Sequence, residues 1–199
     1  MALLESNMHA LKLGERAKDF TLLGTDDKKH SLNEITGTNV DNDNTKIINT
    51  SKPKATIIMF MCNHCPYVKG INNRINKIRE MFSREELVIV GINSNDAVNY
   101  PDDSFEKMKF FHEKFHIDYY LFDESQEAAK EYHATCTPDI FLFDSELRLV
   151  YHGRIDDGYI DESKAKTHDL VNAIKKTIAS EKIEFAQKPS MGCSIKWKQ

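Results

Sequence analysis

Two cysteines, Cys62 and Cys65, separated by Asn63-His64 and followed by Pro66, are the residues of this 199-residue chain best suited to chemistry. Thiols at this spacing, placed at the start of a helix, close a small disulfide ring across one turn. In such a pair the first sulfur is exposed and attacks a disulfide, while the second is shielded and resolves the mixed disulfide. That assigns attack to Cys62 and resolution to Cys65. His64, lying between them, stabilises a Cys62 thiolate when protonated and holds its pKa below the ordinary value of about 8.5. Zinc and iron–sulfur sites use the same spacing, but they need four ligands. A second closely spaced Cys/His pair is absent, and Cys136 and Cys193 stand alone. Covalent haem attachment wants His directly after the second Cys, where Pro66 stands. Thiol redox chemistry therefore leads, with no metal and no bound cofactor. The alternative is a metal-handling module in which Cys62, His64 and Cys65 hold a soft ion such as Cu(I).

The elements that must position this pair are legible on both sides of it. The nearly continuous apolar run from Ala55 to Met61 reads as a strand buried on both faces. After it, Val68, Ile71, Ile75, Ile78 and Phe82 recur at helical spacing and predict an amphipathic helix. The thiols thus face a helix N-terminus, where unpaired N–H groups and the dipole favour a thiolate. Asn63 is the expected N-cap, with Pro66 in the first turn.

Elsewhere, 20–23 and 30–32 around Gly24-Thr25-Asp26-Asp27 predict a hairpin, and 37–53, crowded with Asn, Asp and Thr, a surface loop. Leu87 to Asn93 is a second buried strand, and Asp103 and Glu106 read as a capping box for a helix carrying Phe105, Met108, Phe111 and Phe115. A strand at 119–122, a short helix at 124–133, a hairpin from Asp139 to His152, a helix at 167–180 and a tail at 182–199 complete the chain. This order predicts one domain over 1–199, a mixed sheet with helices on both faces.

Thr137-Pro138 opens the strand after Cys136. If that peptide is cis, residue 137 keeps its backbone groups free to pair with an extended substrate, so Thr137 and Pro138 are candidate substrate-binding residues. Cys136, two residues before Pro138, and Cys193, on a Gly-containing tail, are candidate auxiliary thiols. Cys193 could fold back to pair with Cys136 or relay electrons. His112, His116, His133, His152 and His168 read as surface or structural residues, and Asp102-Asp103 and Asp156-Asp157 as turn and capping residues.

A net charge of −4 gives no general electrostatic reason to bind nucleic acid or an anionic membrane. No run reaches transmembrane length, and Met1 to Lys12 lacks the pattern of a secretory signal. Four cysteines without such a signal point to a reducing compartment, hence the cytoplasm.

The strand, Cys-x-x-Cys, helix, and later Thr-Pro opening a strand-turn-strand resemble the thioredoxin fold. The leading hairpin and the helical insertion around 101–134 resemble the redoxin branch, the alkyl hydroperoxide reductase / thiol-specific antioxidant family, from about Leu13 to Ala179. Met59 to Val68, Ala134 to Asp144 and Gly192 to Trp197 are similar to a thioredoxin-like subfamily sharing Cys-Asn-His-Cys-Pro-Tyr. The resemblance implies that Cys62 and Cys65 are the redox pair and Pro138 the cis-proline. It implies an antioxidant, redox-homeostatic thiol–disulfide oxidoreductase acting on protein or small-molecule disulfides, fed by another thiol system. Peroxiredoxins of the superfamily carry Thr or Ser three residues before the reactive Cys, where this chain has Met59. Classical thioredoxins have Trp before the pair and Gly-Pro inside it, where this chain has Met61 and Asn63-His64. Thiol peroxidase activity, with Cys62 passing through sulfenic acid and Cys65 resolving it, is the second enzymatic expectation.

Overall fold

The computed structural model describes residues 3–37 and 52–199, so most of the expected loop at 37–53 lies outside the described residues. The first half contains β1 (Leu3–Glu5), β2 (Thr21–Gly24), β3 (Lys29–Ser31), α1 (Leu32–Ile35), β4 (Ala55–Phe60), α2 (Pro66–Met81) and β5 (Leu87–Asn93). The second contains α3 (Phe105–His112), β6 (Tyr119–Phe122), α4 (Glu127–Glu131), β7 (Cys136–Thr137), β8 (Asp139–Asp144), β9 (Leu149–His152), α5 (Asp169–Ile178) and β10 (Met191–Ser194). Seven strands form one mixed sheet in the order β3-β2-β6-β5-β4-β8-β9. β4 runs parallel to β5 and antiparallel to β8.

Every residue of β4 is buried, as its apolar run predicts. Successive side chains of a strand point to opposite faces. Ala55, Ile57 and Met59 accordingly join the core beneath α2 and α5, whereas Ile58 and Phe60 join the core on the other face with Leu32, Ala128, Ala129 and Tyr132. α2 buries Val68, Ile71, Ile75 and Ile78 on one stripe. Arg74 is buried on that stripe too. Its guanidinium is neutralised by the Asp156 carboxylate and also donates to the Tyr159 carbonyl, so Asp156 is an ion-pair partner rather than only a turn residue.

Two helix starts differ from expectation. The N-cap of α2 is Cys65, not Asn63, and Pro66 occupies the first helical position, where its missing N–H costs nothing. At α3 the N-cap is Ser104 with no side-chain cap, and no Asp103–Glu106 box forms. Asp103 ends a short 3-10 turn, Pro101–Asp103, and its carboxylate is used elsewhere. The expected 182–199 tail is not a loose end. Within it β10 pairs antiparallel with both β1 and β7, making a small second sheet. Among the described residues no helix is long and apolar enough to cross a membrane.

Candidate active site

The register of the central strands builds the site. Phe60, the last residue of β4, lies opposite Asp139, the first of β8, so Cys62 emerges beside Thr137-Pro138. That peptide bond is cis, as the resemblance implies. The Cys62 sulfur lies 3.4 Å from Thr137 Oγ1 and 4.0 Å from His64 Nδ1. Cys65 Sγ is 3.1 Å from the Thr137 carbonyl oxygen and 3.0 Å from Cys193 Sγ. All four cysteines are unbonded thiols, and all are buried.

Asp103, fully buried, supports the loop between β4 and α2. One carboxylate oxygen accepts from the backbone N–H groups of Asn63 (2.9 Å) and His64 (3.3 Å). The other meets His64 Nδ1 at 2.6 Å and accepts from Asn95 Nδ2 at 2.7 Å. The Asn63 side chain is held on both sides, accepting from the Tyr120 hydroxyl at 2.8 Å and donating to the Asp102 carbonyl at 3.0 Å. Sequence reasoning missed Asp103, Asn95 and Tyr120 as site residues. Asp103 was legible as an acid after a Pro-started turn, but the same signal describes a helix cap.

The electrostatics depart from the expected Cys62 thiolate. Cys65 is lowered to about 5, chiefly by a hydrogen bond from Cys62, with Cys193 and the Val68 N–H adding and burial opposing. Cys62 is pushed well above the ordinary thiol range by that shared hydrogen bond, by burial and by the nearby Asp103 carboxylate. Cys65, as N-cap, sits at the positive end of the α2 dipole, whereas Cys62 lies a turn away beside an acid. The Thr137 carbonyl accepts the Cys65 S–H when present and opposes the charge when absent, but the donors around this sulfur outnumber it.

The exposed Cys62 expected from sequence is also not found, since its sulfur is 0% exposed. His64 is raised, first by its hydrogen bond to Asp103. Its Nδ1 is much nearer that carboxylate than the Cys62 sulfur, so Asp103 balances the charge meant for the thiolate. A His64–Tyr100 stack, centroids 6.2 Å apart, closes its other side.

Thr137 is not free either. β7 is paired with β10 in a register that sets Cys193 opposite Thr137 and Ser194 opposite Cys136. The backbone edge expected to receive substrate is occupied by the chain's own C-terminal strand. Cys193 therefore contacts Cys65, while Cys136 points to the Pro138 carbonyl at 3.7 Å and has its thiol pushed far up by burial. His152, read as surface or structural, is a buried structural residue bonded to Asp139 at 2.7 Å and stacked on Phe141.

Cys62 Sγ, a His64 ring nitrogen and an Asp103 oxygen lie within 4.8 Å of one another. This is a possible three-ligand set, with Asp103 in place of the Cys65 expected from sequence.

A search of curated proteins gave no match. An uncharacterized conserved protein from Geobacillus kaustophilus is similar at 37% identity over 100% of this chain and 97% of its own, with TM-score 0.85. A hypothetical protein from Sinorhizobium meliloti 1021 is similar at 34% identity over 98% of both chains, with TM-score 0.83. The thioredoxin domain of a thiol-disulfide oxidoreductase from Bacteroides vulgatus shares the fold, with TM-score 0.55 and 16% identity over 84% of this chain and 99% of that one. The fold is therefore the thioredoxin fold, and the family brings a thioredoxin-like redox role. With residues 13–152 matching its family model, the chain belongs to the AhpC/TSA family.

Proposed function

We propose that the protein is a thiol–disulfide oxidoreductase, working in the cytoplasm with Cys62 and Cys65 as its dithiol/disulfide pair. The observation that carries the reading is the placement of both sulfurs on the residue before the cis-proline, Thr137 Oγ1 lying 3.4 Å from Cys62 Sγ and its carbonyl oxygen 3.1 Å from Cys65 Sγ. Cys62, on the side of the half-buried His64, attacks a substrate disulfide while its proton passes to the acidic Cys65 sulfur. A Cys62–substrate bond forms, the substrate S–S bond breaks, and the leaving thiolate takes the proton from Cys65. Cys65 then attacks Cys62 Sγ and expels the second substrate thiolate. Two electrons pass from the dithiol to the substrate, and another thiol system restores them. Thr137 holds both sulfurs through its hydroxyl and carbonyl, Pro138 fixes its position, and a substrate pairs with Thr137 once β10 moves aside.

The test is a single turnover of the reduced chain against a chromogenic aromatic disulfide. With Cys193 replaced by Ser throughout, the parent chain should release two thiolates, Cys65→Ser should stall as a mixed disulfide on Cys62, and Cys62→Ser should release no second thiolate. Substrate trapped on Cys65 in the wild-type background would overturn the assignment. A second reading, thiol peroxidase, is favoured by the Thr137 hydroxyl 3.4 Å from Cys62, which supplies the donor that Met59 cannot. Peroxide oxidation of Cys62 outpacing a free thiol by orders of magnitude would select it.

A further inference from the structure

The proposed pair leaves one close contact unused. Cys193 Sγ lies 3.0 Å from Cys65 Sγ, across 128 residues of chain. We propose that Cys193 is a third redox thiol of this site, which exchanges places with Cys62 as the disulfide partner of Cys65. This rests on the reading of Cys62 and Cys65 as a disulfide pair, and goes beyond it by naming an internal substrate.

Three observations carry it. The contact is built by strand pairing, because the β10–β7 register sets Cys193 opposite Thr137, the residue touching both other sulfurs. It has no slack, because a Cβ on Gly192 would stand 1.9 Å from the Thr137 carbonyl oxygen; glycine alone lets β10 approach this closely. The remaining cysteine does not compete, since Cys136 faces Pro138 and lies opposite Ser194. β10 thus lies as an extended substrate would, its backbone on Thr137 and its thiol on the pair. A movement of about 1 Å takes the two sulfurs from contact to bonding distance.

The exchange needs no outside oxidant. Starting from the Cys62–Cys65 disulfide and a Cys193 thiol, Cys193 gives up its proton and attacks Cys65 Sγ. The Cys65–Cys193 bond forms, the Cys62–Cys65 bond breaks, and its electron pair leaves on Cys62, which takes a proton. One disulfide and one thiol are present before and after. The product carries a free Cys62 beside His64 and a C-terminal strand locked over Thr137.

The test is disulfide mapping of the full-length chain after oxidation with one equivalent of diamide, acid quenching and alkylation. Cys62 and Cys65 share one tryptic peptide, 55–69, so a bond to Cys193 appears as a cross-link between two peptides. Wild type should show the Cys65–Cys193 cross-link alongside the Cys62–Cys65 bond, and Cys62→Ser should show the cross-link in nearly every chain. Alkylated Cys193 with no cross-link in both proteins overturns the inference. The underlying reading is judged separately in Cys193→Ser. A Cys62–Cys65 bond there with no cross-link in wild type sinks the relay alone, whereas its absence there sinks the pair reading. The wild-type mapping needs no substitution, so a variant that fails to fold does not remove the test.

Discussion

Asp103 carries more of the site's polar geometry than either cysteine. It orients two backbone N–H groups of the Cys-x-x-Cys loop, the His64 ring and Asn95, all from a position closed to solvent. Removing one member of a buried charge-assisted network strands its partners, so Asp103→Ala should destabilise the reduced protein by about 3–5 kcal/mol in urea unfolding. Asp103→Asn separates charge from shape and should lower the His64 pKa, read by NMR titration of the ring. The sign of the pH dependence follows. A histidine whose folded pKa is raised adds stability below its unfolded value of about 6.5 and loses it as pH climbs through the folded value. The stability gap between wild type and Asp103→Asn should therefore be widest in mild acid and narrow on the alkaline side. A gap that widens as pH rises would show that His64 is not the proton-binding partner of Asp103.

Among the elements, β10 has the role its sequence least advertises. Met191-Gly-Cys-Ser shows no alternation of apolar and polar residues, yet it is the strand that pairs with Thr137 and sets Cys193 against Cys65. Gly192→Ala should force β10 off Thr137, because the added carbon has no room against a backbone oxygen. The expected cost is about 1–3 kcal/mol, as for other overpacked positions, with faster alkylation of Cys62 and Cys65 in the native protein. Unchanged alkylation would mean that the cover is not what shields them. This contrast explains what could be read in advance. β4, α2, β5 and the β2–β3 hairpin announce themselves through local periodicity and turn residues, and the structure has them within a residue or two. The cis peptide at Pro138 followed from the family resemblance, and Thr137 near the thiols from the strand opening at Thr-Pro. Asp103 meeting the loop across 40 residues, and Cys193 meeting Cys65 across 128, leave no local pattern. From sequence the acidic sulfur is assigned to Cys62, by its first place in the motif and by His64, and neither signal shows that the buried Asp103 takes the His64 hydrogen bond and stands beside Cys62.

At the scale of the whole molecule the chain divides into two sheets of unequal strength. The seven-stranded sheet has its central strands β4, β5 and β8 buried on both faces, and the order β5-β4-β8 places the site at the ends of its best-protected members. The β1-β10-β7 sheet is built of shorter strands: β1 is exposed along its length, β10 has four residues with only the middle two buried, and β7 has two, both buried. Regions with few buried apolar contacts open locally at a fraction of the global unfolding free energy. The small sheet should therefore open while the large one stays closed, and under the proposed function that opening admits a disulfide to a sulfur with no exposed surface. Hydrogen exchange should show the amides of 191–194 exchanging well before those of β4 and β5. In the same buffer, modification of Cys62 and Cys65 by a bulky maleimide should reach a ceiling rate equal to the opening rate of β10. Gly192→Ala should raise exchange at β10 and the ceiling together, leaving β4 unchanged. If the sulfurs react only as fast as β4 exchanges, the site is reached by global unfolding, and no gate exists in the small sheet.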